Sequence, residues 1–322
     1  MADWTPARTY LSRAAVAGAL TLMAGGFAAT SAQTPPPHAP LIGRWDLTVD
    51  AGPRKAPSWL EVELSGTRTL VGQFVGTGGS ARPVSKVDFA DGAFSFTIPP
   101  QWGTADTRLE GRLDGDRLVG TITEGDRTQA FTGVRAPALK RPAPAAWGPP
   151  ITLFDGKSLD GWQALGRGDS QWSAADGVLK NAARGANLRT TQTFEDFKLH
   201  LEFRVPKGEN SGVYLRGRYE LQIDDPTGLH SPSHHTGGVY GFLAPSEDAG
   251  KGPDVWQTMD VTLVGRTLTY VLNGKTVICE REIPGITGGA LDSDEGAPGP
   301  IYFQGDHGPV EFRNIVITPA KR

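Results

Sequence analysis

Cysteine is nearly absent: Cys279 is the one cysteine in 322 residues. A single thiol excludes an intramolecular disulfide and any multi-cysteine zinc site. It lies in Thr276-Val-Ile-Cys279, a strand-like stretch where a buried small apolar residue is expected rather than a nucleophile. Charge is also sparse. Asp, Glu, Lys and Arg make up 21% of the chain and the net charge is −3, which excludes a basic surface able to follow a phosphate backbone, and with it nucleic acid as a partner. No long amphipathic helical period occurs, so a coiled coil is excluded. Turn formers are plentiful instead, with 42 glycines and 25 prolines. Together they stay below the roughly 25–30% at which disorder becomes the expected state. With 38% hydrophobic and 8% aromatic residues, the composition predicts an all-β protein of many short strands joined by tight turns.

Arg8 and Arg13 precede an apolar stretch from Ala14 to Ala29, followed by small residues through Ala32. This is the pattern of a secretory signal peptide, too short and glycine-interrupted for a membrane span. It predicts a periplasmic or secreted protein with no membrane span in the mature chain. The expected organisation is a signal peptide over 1–33, a proline-rich leader over 34–40 and a small accessory β-domain over 41–135. A linker over 136–150 carries five prolines, and a second β-domain covers 151–319.

The small domain reads as an antiparallel barrel or sandwich. Trp59-Leu-Glu-Val-Glu-Leu64 alternates, and Asp114-Gly115-Asp116 separates two alternating runs as a hairpin turn would. Trp45, Trp59 and Trp102 are either core residues or a sugar-binding surface. In the second domain, Phe197-Lys-Leu-His-Leu-Glu-Phe-Arg-Val205 alternates throughout, with Lys198, His200, Glu202 and Arg204 on the polar face. Met259 to Val264 and Thr267 to Leu272 flank Gly265-Arg266 as a hairpin. Such strands predict a two-sheet jelly-roll sandwich.

Tyr219-Glu-Leu-Gln-Ile-Asp224 puts Glu220, Gln222 and Asp224 on one strand face, with Arg216 close by if the chain bends at Gly217. Ordinary wet strand faces favour Thr, Lys and Ser, so this row suggests a ligand groove. Glu220 and Asp224 lie roughly 13 Å apart along a strand, too far for the ~5–5.5 Å of a retaining carboxylate pair. Any partner would have to come from another strand, and Glu202 is the obvious one. His230-Ser-Pro-Ser-His-His235 is a polar rim loop or, less simply, a metal site. Asp306-His307, between glycines, places a histidine able to act as acid, base or ligand.

Further motifs carry a family resemblance. Leu153-Phe-Asp-Gly-Lys-Ser-Leu-Asp-Gly-Trp162, Asn210-Ser-Gly-Val-Tyr-Leu-Arg216, Tyr219 to Asp224, Thr236-Gly-Gly-Val-Tyr-Gly241 and Gly299-Pro-Ile-Tyr-Phe-Gln-Gly-Asp-His-Gly308 occur in order. Residues 151–319 thus resemble the bacterial 3-keto-disaccharide hydrolase domain, formerly DUF1080; residues 41–135 do not. The resemblance implies a concanavalin-like jelly roll acting on glycosides oxidised at C3. It implies an enzyme working by C2 proton abstraction, elimination and hydration. Such a route needs a base, for which Glu220 and His307 are the candidates. It needs an acid or ligand, for which Asp224 and Glu202 stand, and an enolate stabiliser, for which Arg216 stands. Gln222, Tyr240, Gln304 and Asn210 would bind the sugar. A divalent metal ion is a possible electrophile, with Glu220, Asp224 and His307 as candidate ligands. The alternatives are a non-catalytic carbohydrate-binding module and a conventional glycosidase.

Overall fold

Residues 43–135 alternate inward and outward along eight strands, from Gly43–Asp50 to Arg127–Arg135, and each strand pairs with the next. The last pairs back onto the first, from Trp45 opposite Arg135 to Val49 opposite Phe131, closing an antiparallel barrel. Closure decides between the two expected forms, and it removes the exposed edges that a small open sheet would carry. The computed structural model describes residues 40–166, 168–225 and 231–321. The expected signal peptide, nearly all of the expected leader and His230 lie outside the described residues.

Trp45, Leu47, Val49, Leu60, Val62, Phe94 and Phe96 fill the barrel. The outward positions on one wall are not all polar. Trp59 faces Asp46 across one strand pair and Val75 across the next, and Trp59 and Val75 belong to the core of the second half of the chain. Gly285 makes this fit possible, because a Cβ there would collide with the Trp59 indole. Trp59 also meets Phe242 edge-on at 5.2 Å. The described residues therefore belong to one compact unit.

The second half is a sandwich. A five-stranded sheet runs in the order Trp162–Leu165, Asn187–Thr190, Tyr302–Phe303, Asn210–Leu215, Tyr219–Asp224. An eight-stranded sheet is centred on Val310–Pro319, Phe197–Arg204 and Gln257–Val264. Leu199, Leu201 and Phe203 from the large sheet pack with Val213, Leu221 and Phe303 from the small one. The Phe303 and Phe312 rings stack at 4.1 Å. Each such fully buried side chain contributes about 1.5–3 kcal/mol. Among the described residues the helical content is one 3-10 turn, Pro232–His234.

Residues 136–150, read from the sequence as a proline-rich linker, lie against the sandwich. Arg266 donates to the Pro137 carbonyl, Arg141 pairs with Glu195 at 2.6 Å and Asp196 at 3.1 Å, and Lys198 lies 4.8 Å from the Trp147 ring centre. Proline has no N–H to satisfy, and the segment serves as a strap, with its Pro137 carbonyl met by Arg266 and its Ala146 carbonyl by the Lys321 N–H. Cys279 also departs from expectation: it is exposed, because Lys275–Glu282 pairs irregularly with Thr267–Leu272 and the simple alternation breaks there.

Candidate active site

The hairpin Asn210–Leu215 and Tyr219–Asp224 sets the site. Its turn is short, with Arg216 at φ 52° and Gly217 at φ 66°. That turn fixes the register, placing Tyr214 opposite Glu220, Gly212 opposite Gln222 and Asn210 opposite Asp224. Val213, Leu215, Tyr219, Leu221 and Ile223 face the sandwich core, so Gly212, Tyr214, Glu220 and Gln222 face the other way. Gly212 makes room for the carboxyl, since a Cβ there would sit 2.5 Å from Glu220 Oε1. Tyr302, on the neighbouring strand, lies with its ring 4.5 Å from that of Tyr214.

Glu220 is buried. Tyr214 donates its hydroxyl to Glu220 Oε2 at 2.9 Å or to the Gly288 carbonyl at 2.8 Å, and Gln304 Nε2 donates to Tyr214 at 3.1 Å. Burial pushes the Glu220 carboxyl up to about 8; the Tyr214 hydrogen bond pulls it down, nearby Asp306 pushes it up, and Gln304 pulls it down. The backbone is fixed as well: Glu220 N–H donates to Thr287 Oγ1 at 2.9 Å and the Glu220 carbonyl accepts from Tyr240 N–H at 3.0 Å. Buried acceptors on Gln222 and Gln304 (Oε1 in each) lack a protein partner. Native buried polar atoms are seldom left so, and on this face a ligand hydroxyl would satisfy them.

The rim is built from loops. Asn187 accepts from the Gly305 and Asp306 N–H groups at 2.7 and 3.1 Å and donates to the Tyr302 hydroxyl at 2.7 Å. His307 is exposed beside Asp306, at 3.0 Å. Tyr240 stacks on His234 at 4.7 Å. Its phenol is pushed up to about 12 by burial and by Glu220, and is lowered by a hydrogen bond from Gln101 of the barrel. Asp224 stands at the strand end, accepting from Thr236 N–H at 2.7 Å and lying 3.4 Å from His235 Nδ1. There it lines a separate cavity of about 490 Å³ with Pro245, Asp248 and Gln257. Asn210 lies at the same end.

The structure thus groups Glu220, Gln222 and Gln304 on one face, puts Tyr240 and His307 at the rim, and leaves Asp224 and Asn210 toward one end. Two expectations fail. Arg216 turns to the opposite side, donating to the Tyr219 hydroxyl and the Gly265 carbonyl, both at 2.9 Å; at the left-handed turn position its side chain joins the core-facing Tyr219, so it cannot stabilise an enolate at Glu220. Glu202 lies in the other sheet, on the face away from the core, held by Arg313 at 2.6 and 2.8 Å and Asn314 at 2.6 Å. Sheets pack about 10 Å apart, so Glu202 does not reach Glu220. The proposed metal ligands Glu220, Asp224 and His307 are also dispersed: among the described residues no group of three His, Cys, Asp or Glu side chains is placed to hold an ion. Missed by the sequence reading were Tyr214, Tyr302, Asn187 and Thr287. Tyr214 was within reach, because a tight turn at 216–218 dictates the residue opposite Glu220.

Comparison with known proteins bears on the sandwich half. A 3-keto-disaccharide hydrolase of Bacteroides thetaiotaomicron is 36% identical over 75 residues, 20% of this chain and 26% of that one. The chain therefore spans about a quarter of the length of the curated relative it matches. Two solved Parabacteroides distasonis proteins, provisionally assigned to the glycosyl hydrolases, are also similar. One is 27% identical with a TM-score of 0.46, covering 55% of this chain and 92% of that chain. The other is 26% identical with a TM-score of 0.41, covering 53% and 98%. The sequence profile of one family matches residues 149–318, more than half of the chain and nearly all of the sandwich. The chain belongs to the 3-keto-alpha-glucoside-1,2-lyase-like domain family.

Proposed function

We propose that this is an exported enzyme that cleaves 3-keto-glycosides, 3-keto-disaccharides among them, by elimination across C1 and C2 followed by hydration. Glu220 carries the reading: a buried carboxyl raised to about 8 on a polar sheet face with unpartnered acceptors. A paired-carboxylate glycosidase is disfavoured, since Asp224 is roughly 13 Å along the strand and Glu202 is held on another sheet.

A ketone at C3 acidifies the C2 proton. Glu220 takes that proton, the C2–H electron pair moves onto the C3 oxygen as an enolate, and its return expels the aglycone oxygen from C1. The product carries a C1=C2 bond conjugated to the ketone; water adds at C1, a proton returns to C2, and the net change is hydrolysis. A base whose pKa lies near the working pH suits this task. Tyr214 adapts to both states of Glu220. Its one hydrogen serves the ionised carboxylate, and turns to the Gly288 carbonyl once Glu220 is protonated. Tyr302, which accepts from Asn187, keeps its own proton for the enolate oxygen. Tyr240 stays protonated through neutral pH and gives its proton to the departing alkoxide, a stronger base than a phenolate. Gln222 Oε1 accepts a sugar hydroxyl.

The test is Glu220→Gln on a 3-keto-glucoside, expected to lose about a hundredfold or more in rate, while His307→Ala loses far less. Near-full activity in Glu220→Gln would end the assignment. Release of aglycone from the unoxidised parent as well would favour a conventional glycosidase, and release from neither would favour a binding module.

A further inference from the structure

The three barrel tryptophans part company in the structure. Trp45 and Trp59 are fully buried, whereas Trp102 is 65% exposed. Its ring is not a loose surface feature. It lies against Gly79, where a Cβ would come within 3.2 Å of the indole, and Gly79 is at φ 84°. Gln101 is tied to the same loop, accepting from Ser80 N–H at 3.0 Å. Together they border a cavity of about 290 Å³ at the barrel mouth, whose wall also carries Arg82, Glu124, Arg127 and Gln129. That volume is at the small end for ligand pockets, about 300 Å³, and suits one sugar ring better than an oligomer. Its chemistry also fits a sugar: an aromatic face for the C–H side of a pyranose, with amide, carboxylate and guanidinium groups for hydroxyls.

This mouth is locked beside the site described above. Gly241 and Gly288 of the sandwich receive residues 79–81 of the barrel so closely that a Cβ at Gly288 would collide with the Gly79 carbonyl, and one at Gly241 would lie 2.5 Å from Ala81 N. The Gly288 carbonyl is the group that Tyr214 addresses when it is not bonded to Glu220. Gln101 hydrogen-bonds Tyr240, and the Tyr240 phenol feels the charge of Glu220. From Glu220 the polar groups therefore run outward through Tyr240 and Gln101 to Trp102.

We propose that the barrel mouth is the subsite for the leaving-group sugar, with the pyranose stacked on Trp102 and its hydroxyls met by Gln101, Arg82 and Arg127. This rests on the 3-keto-glycoside reading, in which Tyr240 protonates the aglycone oxygen. The barrel is thereby a specificity element that lets the enzyme distinguish a disaccharide from a glucoside with a small aglycone.

The experiment compares full-length wild type with Trp102→Ala and Arg127→Ala on 3-keto-maltose and on methyl 3-keto-α-glucoside. Trp102→Ala is expected to raise KM for 3-keto-maltose by about tenfold, with kcat and all constants for the methyl glucoside nearly unchanged; Arg127→Ala should act in the same direction. Equal losses on both substrates, or none on either, would overturn the proposal. A binding arm separates this claim from the catalytic one: unoxidised maltose is titrated into wild type and Trp102→Ala and followed by calorimetry. If wild type cleaves no keto-sugar, saturable maltose binding that Trp102→Ala abolishes upholds the subsite while the catalytic reading falls. Absence of such binding under those conditions overturns the subsite too.

Discussion

Replacing Gly212 with alanine probes the site with one methyl group. The added Cβ would sit 2.5 Å from Glu220 Oε1, 3.0 Å from its Cγ and 3.1 Å from Gln304 Oε1, against ordinary contacts beginning at 3.4 Å. Relief requires the carboxyl to move by about 0.9 Å, the difference between 3.4 and 2.5 Å. A displacement of about 1 Å in a reacting group costs on the order of a hundredfold in rate. Folding should not suffer, because Gly212 is not at positive φ and alanine reduces the entropy lost on ordering a strand. The assay pairs kcat/KM on a 3-keto-glucoside with a thermal melt. About a hundredfold loss at unchanged Tm is expected. Unchanged activity would refute the placement of Glu220 as base, and a collapsed melt would refute the view that the alanine meets only a movable side chain.

Two further predictions use pH. With Glu220 at about 8 and required as the anion, kcat/KM should rise tenfold per pH unit below that value and level off above it; Tyr214→Phe, which removes a hydrogen bond that lowers the carboxyl, should move the limb upward, and Asp306→Asn should move it downward. A limb that stays in place in Tyr214→Phe and vanishes in His307→Ala would transfer the role to His307. Asp46, buried on the barrel wall, is pushed up to about 9 by burial first and then by Glu295. A raised folded-state value means its contribution to stability is full below the unfolded value of 3.8 and is lost as pH rises toward 9, at up to about 1.4 kcal/mol per pH unit. Asp46→Asn should therefore melt with a flatter pH dependence between 5 and 9 than wild type, and an equal slope in thermal melts would contradict this.

What was legible in the sequence was local. Alternation in Phe197-Lys-Leu-His-Leu-Glu-Phe-Arg-Val205 marked the inward face of a strand, since Phe197, Leu199, Leu201 and Phe203 are buried. The Asp114-Gly115-Asp116 turn joined the strands expected, with Asp114 opposite Arg117. The common face of Glu220 and Gln222 followed from the period of two. Some errors arose where partners are distant. Nothing in its own strand says which sheet Glu202 joins, and only long-range pairing with Val310–Pro319 puts it beside Arg313. Arg216 failed for a local reason, its left-handed turn conformation, which no alternation rule describes. Over 136–150 proline content speaks to stiffness and says nothing of the Arg266 contact with the Pro137 carbonyl or the Arg141 pairing with Glu195 and Asp196. The contact of the barrel loop with Gly241 and Gly288 had no signal beyond the glycines themselves.

The central claim is proton removal at C2, and its most direct measurement is cleavage of 3-keto-maltose in D2O, with the early product examined for deuterium at C2. Elimination and hydration predict one solvent deuterium at C2 of each released 3-keto-glucose, above the level in unreacted substrate. Product that keeps its original hydrogen at C2 would contradict the account.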